Sequence, residues 1–249
     1  DFPAEKGQSS PSVTGGAAEC GGELITSATV RPDHVSAVAA AAVFTPPTTW
    51  NGIERALIEY CTYDDSALCQ STEHSEGCYN VRCTRGHDMT SKSSIQSLLD
   101  FIRAIPVDIA ATLCSGIPCT GGSPAQNGNK YRPDHAKRMA AHITLWNKLF
   151  DNFIVLSRAA IQRGGHLALE WPTRCRYWRR PNMVTLLGIP ELEWSTARVK
   201  ACAYGQRITT GKHKGKALTK VWRLVSTMGD LPTAMSAPCL GDHDHVTTI

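Results

Sequence analysis

The sequence lacks a long hydrophobic run. Its most apolar stretch, residues 35–44, is rich in alanine and only ten residues long, whereas a membrane-spanning helix needs about 20 apolar residues. The basic start of a secretory signal peptide is also missing. The sequence therefore predicts neither a membrane span nor a targeting segment.

A disulfide framework is not indicated either, although the chain has ten cysteines. The cysteines are scattered through predicted strands, and a chain of 249 residues does not need such staples. Disulfide frameworks belong mainly to small secreted domains. We therefore expect an intracellular, reducing compartment, without a distinction between nucleus and cytoplasm.

The first 48 residues differ from the rest of the chain. Residues 1–29 are rich in Gly, Ser, Ala, Pro and Thr and have no sustained hydrophobic period, which predicts disorder. We expect a disordered or loosely packed tail over residues 1–48 and one domain over residues 49–249, for which 42% hydrophobic content supplies a core. Because the first residue is Asp1 and not Met, we also expect a piece of a longer polypeptide.

From residue 55 onward, apolar strands alternate with amphipathic helices. This alternation predicts an α/β fold with a doubly wound, mostly parallel, Rossmann-like sheet. Two later strands joined by a basic loop predict an antiparallel hairpin at the C-terminal end of this sheet. The predicted strands cover residues 55–61, 78–83, 107–113, 166–169, 202–205 and 221–225, and the predicted helices start at residues 67–69 or cover residues 95–105 and 136–165.

Residues 116–123 have the sequence Gly-Ile-Pro-Cys-Thr-Gly-Gly-Ser and follow the predicted strand 107–113. Open α/β sheets bind ligands where strands leave the sheet. Cys119 has loop-forming neighbours, so we interpret it as a nucleophile. The alternative is a small core residue, because cysteine is often buried; Cys114, beside the apolar run, is interpreted in that way.

A second reactive group is predicted at the same edge of the sheet. The helix over residues 136–165 ends at two glycines, and the strand 166–169 and Glu170 follow it. Strand, helix and strand form a βαβ unit whose two strands are parallel, so both end at one edge. Cys119 and Glu170 would then lie within reach of one ligand.

These residues resemble the C5-cytosine methyltransferases. The Gly-Ile-Pro-Cys-x-x-x-Ser pattern is similar to the nucleophile motif of that family, and Leu-Glu-Trp-Pro stands where the family has Glu-Asn-Val. The resemblance implies a class I methyltransferase fold, in which Cys119 adds to C6 of cytosine, Glu170 holds N3 and Ser123 belongs to the catalytic motif. Over about residues 55–245, the chain also resembles methyltransferase-fold segments of mobile-element polyproteins.

The resemblance implies S-adenosylmethionine as the cofactor. Class I enzymes bind it at the turn after the first strand, which implies Glu59, Cys61 and Asp65 as contact residues. The sequence His-Asp-Met-Thr at residues 87–90 is similar to a family element whose aspartate, here Asp88, faces the adenine, and Pro118 would also line the pocket. The alternative role of Asp88 is that of a helix cap.

The sequence also departs from the family pattern. The turn after the first strand lacks the glycines that allow the backbone to approach a ligand. Trp171 and Pro172 replace the Asn and Val of the glutamate motif. A Gln-x-Arg-x-Arg motif is not visible, and the chain has no room for a target-recognition domain.

The region between Trp171 and Gly229 is strongly basic, with twelve Lys and Arg residues against two Glu. Aromatic residues are interleaved, which is typical of a surface that binds phosphates and stacks bases. We predict a nucleic acid as partner, with DNA favoured over RNA; the alternative is that the aromatics are core residues and the lysines lie in a solvated loop. The predicted contact residues are Arg174, Arg179, Arg180, Lys212, Lys214 and Arg223.

Three potential metal ligands, Cys239, His243 and His245, lie within seven residues near the end of the chain. Zinc needs a fourth ligand, for which Cys175 and Cys202 are available. Because the spacing differs from that of a standard zinc finger, we interpret this segment as a polar terminus without a metal.

Two functions are therefore open. The first is an S-adenosylmethionine-dependent methyltransferase that acts on a nucleic-acid base through Cys119. The second is a catalytically inactive methyltransferase-fold module that binds nucleic acid or protein. The pairing of Cys119 with Glu170 favours the first function, and the missing glycines favour the second.

Overall fold

A computed structural model describes residues 43–64, 66, 68, 76–209 and 211–246. Most of the predicted tail, residues 67 and 69 of the predicted helix start and the predicted contact residue Asp65 therefore lie outside the described residues. Within residues 43–48, the Phe44 amide donates to Ser97 Oγ at 2.8 Å, and the Tyr79 hydroxyl donates to the Thr45 carbonyl oxygen at 3.2 Å. Phe44 and Thr45 of the predicted tail therefore contact the domain over residues 49–249.

The centre of the fold is a six-stranded sheet with the order β2-β1-β3-β4-β7-β5. Five strands are parallel to one another, and β7 is antiparallel to both β4 and β5. The α/β class and the mostly parallel sheet predicted from the sequence are confirmed, and the sheet is compatible with a Rossmann-like fold. The six strands are β1 (Arg55–Tyr60), β2 (Cys78–Cys83), β3 (Ala110–Ser115), β4 (His166–Pro172), β5 (Ser195–Lys200) and β7 (Val221–Ser226).

A separate two-stranded sheet is formed by β6 (Ala217–Leu218) and β8 (His245–Val246). The described α-helices are α1 (Lys92–Ala104), α2 (His135–Gln162), α3 (Pro181–Leu187) and α4 (Asp230–Ala234). None of the helices in the described part of the chain combines the length and the apolar character that crossing a membrane requires.

Helix α1 begins at Ser91, whose side chain accepts a hydrogen bond from the Ser94 amide. This cap satisfies one of the amide groups that a helix leaves without a partner at its N-terminus. Ile95, Leu98 and Ile102 recur at helical spacing and are buried. The apolar period that predicted this helix therefore corresponds to its buried face.

Helix α2 is the crossover between the neighbouring parallel strands β3 and β4, with Leu113 paired to Leu167. The chain returns from α2 to β4 through Gly164 and Gly165. Gly164 has a φ of +78°, which favours glycine. At Gly165 an added Cβ would lie 2.8 Å from the Ala160 carbonyl oxygen and 2.9 Å from that of Ala111, so a side chain has no room. The predicted βαβ unit is confirmed.

An aromatic cluster joins α2 to the segment after β4. The Trp146 ring is fully buried and stacks on Phe150 and Tyr177, with centroid distances of 4.7 Å and 4.2 Å. Trp171 contacts Tyr177 and Trp178 edge-on. Large buried rings contribute several kcal/mol each to folding, so their packing holds the segment after β4 against α2.

The predicted strand over residues 107–113 has the wrong bounds. Val107 is 86% exposed in the turn before β3, which begins only at Ala110. Apolar character alone extended the prediction into the turn that follows Pro106.

The predicted strand over residues 202–205 is wrong, because Ala201–Tyr204 is a 3-10 helix that ends at Gly205 with a φ of +71°. The antiparallel partner of β7 is β5, which precedes this helix. In β5 the buried Ala197 and Val199 alternate with exposed polar residues. This strand was not predicted, because its two buried apolar residues alternate with polar residues over only six positions, which is a weak signal.

Candidate functional site

The loop that carries Cys119 leaves β3 beside the end of β1. The Gly116 amide donates to the Tyr60 carbonyl oxygen at 2.7 Å. A Cβ atom at residue 116 would lie 2.8 Å from the Cys61 carbonyl oxygen. Glycine is required at this position because two backbones meet there, and the loop is therefore fastened to β1.

Cys119 is half-buried and starts a 3-10 turn over Thr120–Gly122, in which the Gly122 amide donates to the Cys119 carbonyl oxygen at 2.9 Å. An added Cβ at Gly121 would lie 2.4 Å from the Tyr177 hydroxyl oxygen, and one at Gly122 would lie 2.8 Å from Cys175 Sγ. Both glycines are thus needed for close packing against the segment after β4.

Trp171 fixes the same loop from the β4 side. Its side chain is 2% exposed, and Nε1 donates to the Ile117 carbonyl oxygen at 2.7 Å. A buried carbonyl oxygen without this partner would cost about 1–3 kcal/mol. Trp171, which departs from the motif of the resembled family, therefore positions the residue two places before Cys119.

Glu170 lies on β4 between the buried side chains of Leu169 and Trp171, and its own side chain is exposed. Burial of the carboxyl group raises the pKa of Glu170 to about 7, and the nearby Lys220 ammonium opposes this shift. The side chain keeps access to solvent, so water screens part of this effect. A carboxyl group with this pKa exchanges a proton near neutral pH.

The Cys119 thiol belongs to the same electrostatic neighbourhood. Burial raises the pKa of Cys119, Lys220 lowers it, and Glu170 raises it further. Lys220 therefore interacts with both groups that the sequence analysis paired. The thiol is mainly protonated at neutral pH in this arrangement, since each cause except the Lys220 charge and a backbone hydrogen bond disfavours the thiolate.

Lys220 and Tyr177 are site residues that sequence reasoning missed. Lys220 was grouped with the basic residues but was not assigned to the reactive pair. No local pattern in the sequence indicated this role; in the folded chain, Lys220 Nζ lies 4.5 Å from the centre of the Trp222 ring. Tyr177 carried no signal, since its contact with the Cys119 loop is formed only in the folded chain.

Ser123, the third predicted catalytic residue, is part of a helix cap. Its side chain accepts a hydrogen bond from the Ala125 amide at 3.3 Å and caps the 3-10 helix Pro124–Asn129.

Pro118 is exposed at the start of the loop. Beside it lies a shallow depression, which is lined by Ile117, Pro118, His142, Leu145, Trp146 and Leu149.

The predicted cofactor residues of β1 lie next to this loop. Glu59 is 5% exposed, and its Oε1 accepts from Ser66 Oγ at 2.7 Å. Glu59 Oε2 is buried without a hydrogen-bond partner among the described residues. Cys61 has a φ of +63°, which is unusual for a residue other than glycine.

Asp88 is exposed and accepts hydrogen bonds from the amide and the hydroxyl of Thr90, at 2.9 Å and 2.6 Å. These bonds form a local turn just before α1, whereas the cap of α1 itself is Ser91, so Asp88 does not cap this helix. The neighbouring Met89 is buried, and its carbonyl oxygen accepts from Asn152 Nδ2 at 2.9 Å.

The predicted nucleic-acid residues are mostly on the surface. Arg174, Arg179, Lys212 and Lys214 are exposed, and Arg180 is half-buried. Arg223 lies on β7, with its guanidinium carbon 4.8 Å from the centre of the Trp178 ring. Trp178 is itself buried, so this aromatic belongs to the core and supports the alternative given for part of the aromatic set.

Comparisons of this chain with protein families, with curated proteins and with solved structures gave no match.

Proposed function

We propose that this protein is an S-adenosylmethionine-dependent methyltransferase that acts on a nucleic-acid base, cytosine C5, through Cys119. The observation that carries the proposal is the shared environment of Cys119, Glu170 and Lys220 at the ends of neighbouring strands. A thiol, a carboxyl group that titrates near pH 7 and an ammonium group are the components that covalent catalysis on a pyrimidine ring requires.

The order of the strands supports the same proposal. The sheet of the methyltransferases ends in an antiparallel pair, and here β7 pairs antiparallel with both β4 and β5. Cys119 follows β3 and Glu170 lies on the adjacent β4, which is the relation of the two motifs in the resembled family. A class I methyltransferase type of this Rossmann-like sheet is therefore part of the proposal.

In the proposed reaction, the Cys119 thiol first loses its proton and its sulfur forms a bond to C6 of cytosine. Glu170, protonated in part at neutral pH, donates to N3 and neutralises the charge that develops on the ring. Addition of the thiolate would make C5 nucleophilic, so that it could accept the methyl group that the bound cofactor would supply. Loss of the C5 proton to solvent restores the double bond and expels the Cys119 thiolate.

The residues at the end of β1 fit the cofactor in two respects. Glu59 Oε2 is a buried acceptor with no donor among the described residues, and such an atom is suited to a donor group of a ligand. Cys61 has the left-handed backbone conformation that glycine would otherwise supply in this turn. Glu59 and Cys61 would hold the cofactor, which when bound supplies an electrophilic methyl group.

The surface charge fits a polyanionic substrate. Arg174 and Arg179 are exposed in the segment directly after β4, a few residues beyond Glu170. Contacts of arginine with phosphates would position a strand without reading its sequence. The target base would have to leave its stack to reach Cys119, as is general for enzymes that modify bases.

A covalent trap tests the proposal. An oligonucleotide that contains 5-fluorocytosine, incubated with the protein and S-adenosylmethionine, is expected to give a denaturation-resistant adduct on Cys119, because fluorine at C5 cannot leave as a proton. Cys119→Ser should abolish the adduct, and Glu170→Gln should slow its formation. Cys78→Ser, a half-buried thiol on β2, is the matched control and should leave the adduct unchanged.

The second candidate is a catalytically inactive module that binds nucleic acid or protein. Burial of the Cys119 thiol, which raises its pKa, and the lack of glycines in the turn after β1 favour this function. Calorimetry with S-adenosylmethionine separates the two. No heat of binding, or tight oligonucleotide binding without an adduct in the presence of bound cofactor, contradicts the enzyme and supports the module.

A further inference from the structure

Four potential metal ligands converge near the C-terminal end of the described chain. The sulfur atoms of Cys202 and Cys239 and a ring nitrogen of His243 and of His245 all lie within 4.8 Å of one another. Cys239 Sγ is 3.5 Å from His243 Nε2 and 3.3 Å from His245 Nε2, and His245 Nε2 is 3.3 Å from Cys202 Sγ. We call these four residues the Cys2His2 cluster.

Three of the six separations among these atoms are close to the edges of a metal tetrahedron. Zinc binds cysteine sulfur at about 2.3 Å and histidine nitrogen at about 2.0–2.1 Å, so tetrahedral geometry separates sulfur from nitrogen by about 3.6 Å. The three observed sulfur–nitrogen distances lie within 0.3 Å of that value. All four ligand atoms also lie within 4.8 Å of one another, which isolated thiol–imidazole hydrogen bonds would not require.

An outer-shell partner is also present. His243 Nδ1 lies 2.6 Å from Asp242 Oδ1, while Nε2 of the same ring faces the sulfur of Cys239. A carboxylate that accepts from the second ring nitrogen fixes the tautomer of a metal-binding histidine and increases its basicity. This arrangement is typical of zinc sites in which the ligand is oriented before the metal arrives.

We propose that Cys202, Cys239, His243 and His245 bind one Zn²⁺ ion as a closed structural site. Two thiolates and two imidazoles in a tetrahedron favour zinc over harder divalent ions, which prefer oxygen ligands. Four protein ligands leave no position for a water or a substrate, so the ion has a structural function. Cys175, the other candidate for the fourth ligand, packs against Gly122 in the loop of Cys119.

The site joins parts of the chain that are far apart in the sequence. Cys202 lies in the 3-10 helix after β5, whereas His245 lies 43 residues later on β8. The short β6–β8 sheet, in which Ala217 pairs with His245, and the bond from the Thr219 amide to the Val246 carbonyl oxygen at 3.0 Å support the same junction. Two strands of two residues each are too short to be stable without such a link.

The metal would also support the position of Lys220. The Ala201 amide donates to the Lys220 carbonyl oxygen at 2.9 Å, and Ala201 precedes the ligand Cys202 directly. Lys220 is therefore tied to the segment that carries the first ligand. The zinc site would in this way stabilise the position of Lys220 beside Cys119 and Glu170 without contacting the substrate.

Metal analysis of the full chain tests the inference. After purification in zinc-containing buffer without chelator and extensive dialysis, elemental analysis is expected to find one zinc ion per chain. Cys239→Ser and His243→Ala should each lower the zinc content at least tenfold. Cys78→Ser and His213→Ala are the matched controls and should keep one equivalent; His213 lies in the same region but outside the cluster.

Cobalt replacement keeps the inference testable if those variants fail to fold. The wild-type protein loaded with Co²⁺ should show the intense visible bands of a tetrahedral site and sulfur-to-cobalt charge transfer. Folded wild-type protein without bound zinc, full zinc retention in Cys239→Ser, or a cobalt spectrum of an octahedral, oxygen-bound ion would each overturn it. None of these measurements uses nucleic acid or S-adenosylmethionine, so the result is independent of the proposed enzymatic function.

Discussion

The thiols beside the parallel strands and those of the Cys2His2 cluster lie in opposite surroundings. Burial raises the pKa of Cys61 and of Cys175 to about 12, because each sulfur lies among packed protein atoms. Cys202 and Cys239 instead face imidazole nitrogens at 3.3–3.5 Å. The comparison teaches that the same residue type serves packing in one region and metal binding in the other, according to what surrounds the sulfur.

Alkylation of thiols should separate the two regions most strongly. With a pKa of about 12 in place of 9, Cys61 and Cys175 have a thiolate fraction about a thousandfold lower at neutral pH, so we expect very slow reaction with iodoacetamide. A strong zinc chelator should leave that rate unchanged and should release Cys202 and Cys239 for rapid reaction. Peptide mapping by mass spectrometry measures each site.

Two results would break this comparison. One is rapid alkylation of Cys61 or Cys175 in the folded protein. The other is a rate at Cys202 and Cys239 that is the same with and without chelator. Denatured protein, in which all four thiols react alike, is the control for reagent access.

A substitution of intermediate effect tests the packing that surrounds Cys119. Gly121→Ala introduces a Cβ 2.4 Å from the Tyr177 hydroxyl oxygen, and Tyr177 cannot move away easily because its ring stacks on Trp146. We expect the free energy of unfolding to fall by about 1–3 kcal/mol. Urea denaturation measures the change.

Gly128→Ala is the matched control, because its added Cβ meets no atom within 4 Å. We expect a change within about 0.5 kcal/mol for this control. Adding Tyr177→Phe to Gly121→Ala should recover part of the lost stability, since the clashing oxygen is removed. Equal effects of Gly121→Ala and Gly128→Ala would show that the Cys119 loop is not packed as described.

The smallest expected effect is the pH dependence from Glu170. Its pKa is raised from 4.5 to about 7 in the folded chain, so the folded state binds more protons than the unfolded state between these values. The free energy of unfolding should therefore fall as pH rises through this window. Because the side chain is exposed and screened, we expect less than about 1 kcal/mol.

Thermal or urea unfolding at a series of pH values checks this prediction against Glu170→Gln. The variant should lose the component of the slope between pH 4.5 and about 7. Glu193→Gln, which changes an exposed carboxylate outside the site, is the control and should keep the wild-type slope. A wild-type stability that rises through this window relative to Glu170→Gln would contradict the raised pKa.

Local patterns predicted the parallel half of the sheet well. The apolar runs that became β1, β2 and β4 and the helical period of α2 lie close to their predicted bounds. The βαβ rule then predicted that Cys119 and Glu170 lie at one edge of the sheet. These features depend on residues that are close together in the chain and on the general handedness of crossovers. Both can therefore be predicted from the sequence alone.

The antiparallel half was predicted less well. The true partner of β7 is β5, whose exposed residues include Arg198 and Lys200 and conceal its short apolar alternation. The role of Lys220 was also missed, since its neighbours Cys119 and Glu170 are 101 and 50 positions away in the chain. Pairings over such separations depend on packing and on chain connections that no local pattern records.

The Cys2His2 cluster shows most clearly what the sequence determines and what only the tertiary structure decides. The sequence by itself determined that Cys239, His243 and His245 lie close together, because they are neighbours in the chain, and it left Cys175 and Cys202 as equal alternatives for a fourth ligand. Only the tertiary structure chose between them: Cys175 packs under the Cys119 loop, and Cys202 meets the two histidines. The physical reason is that convergence of four ligand atoms is a property of the folded chain, in which β5 and β8 end in one region.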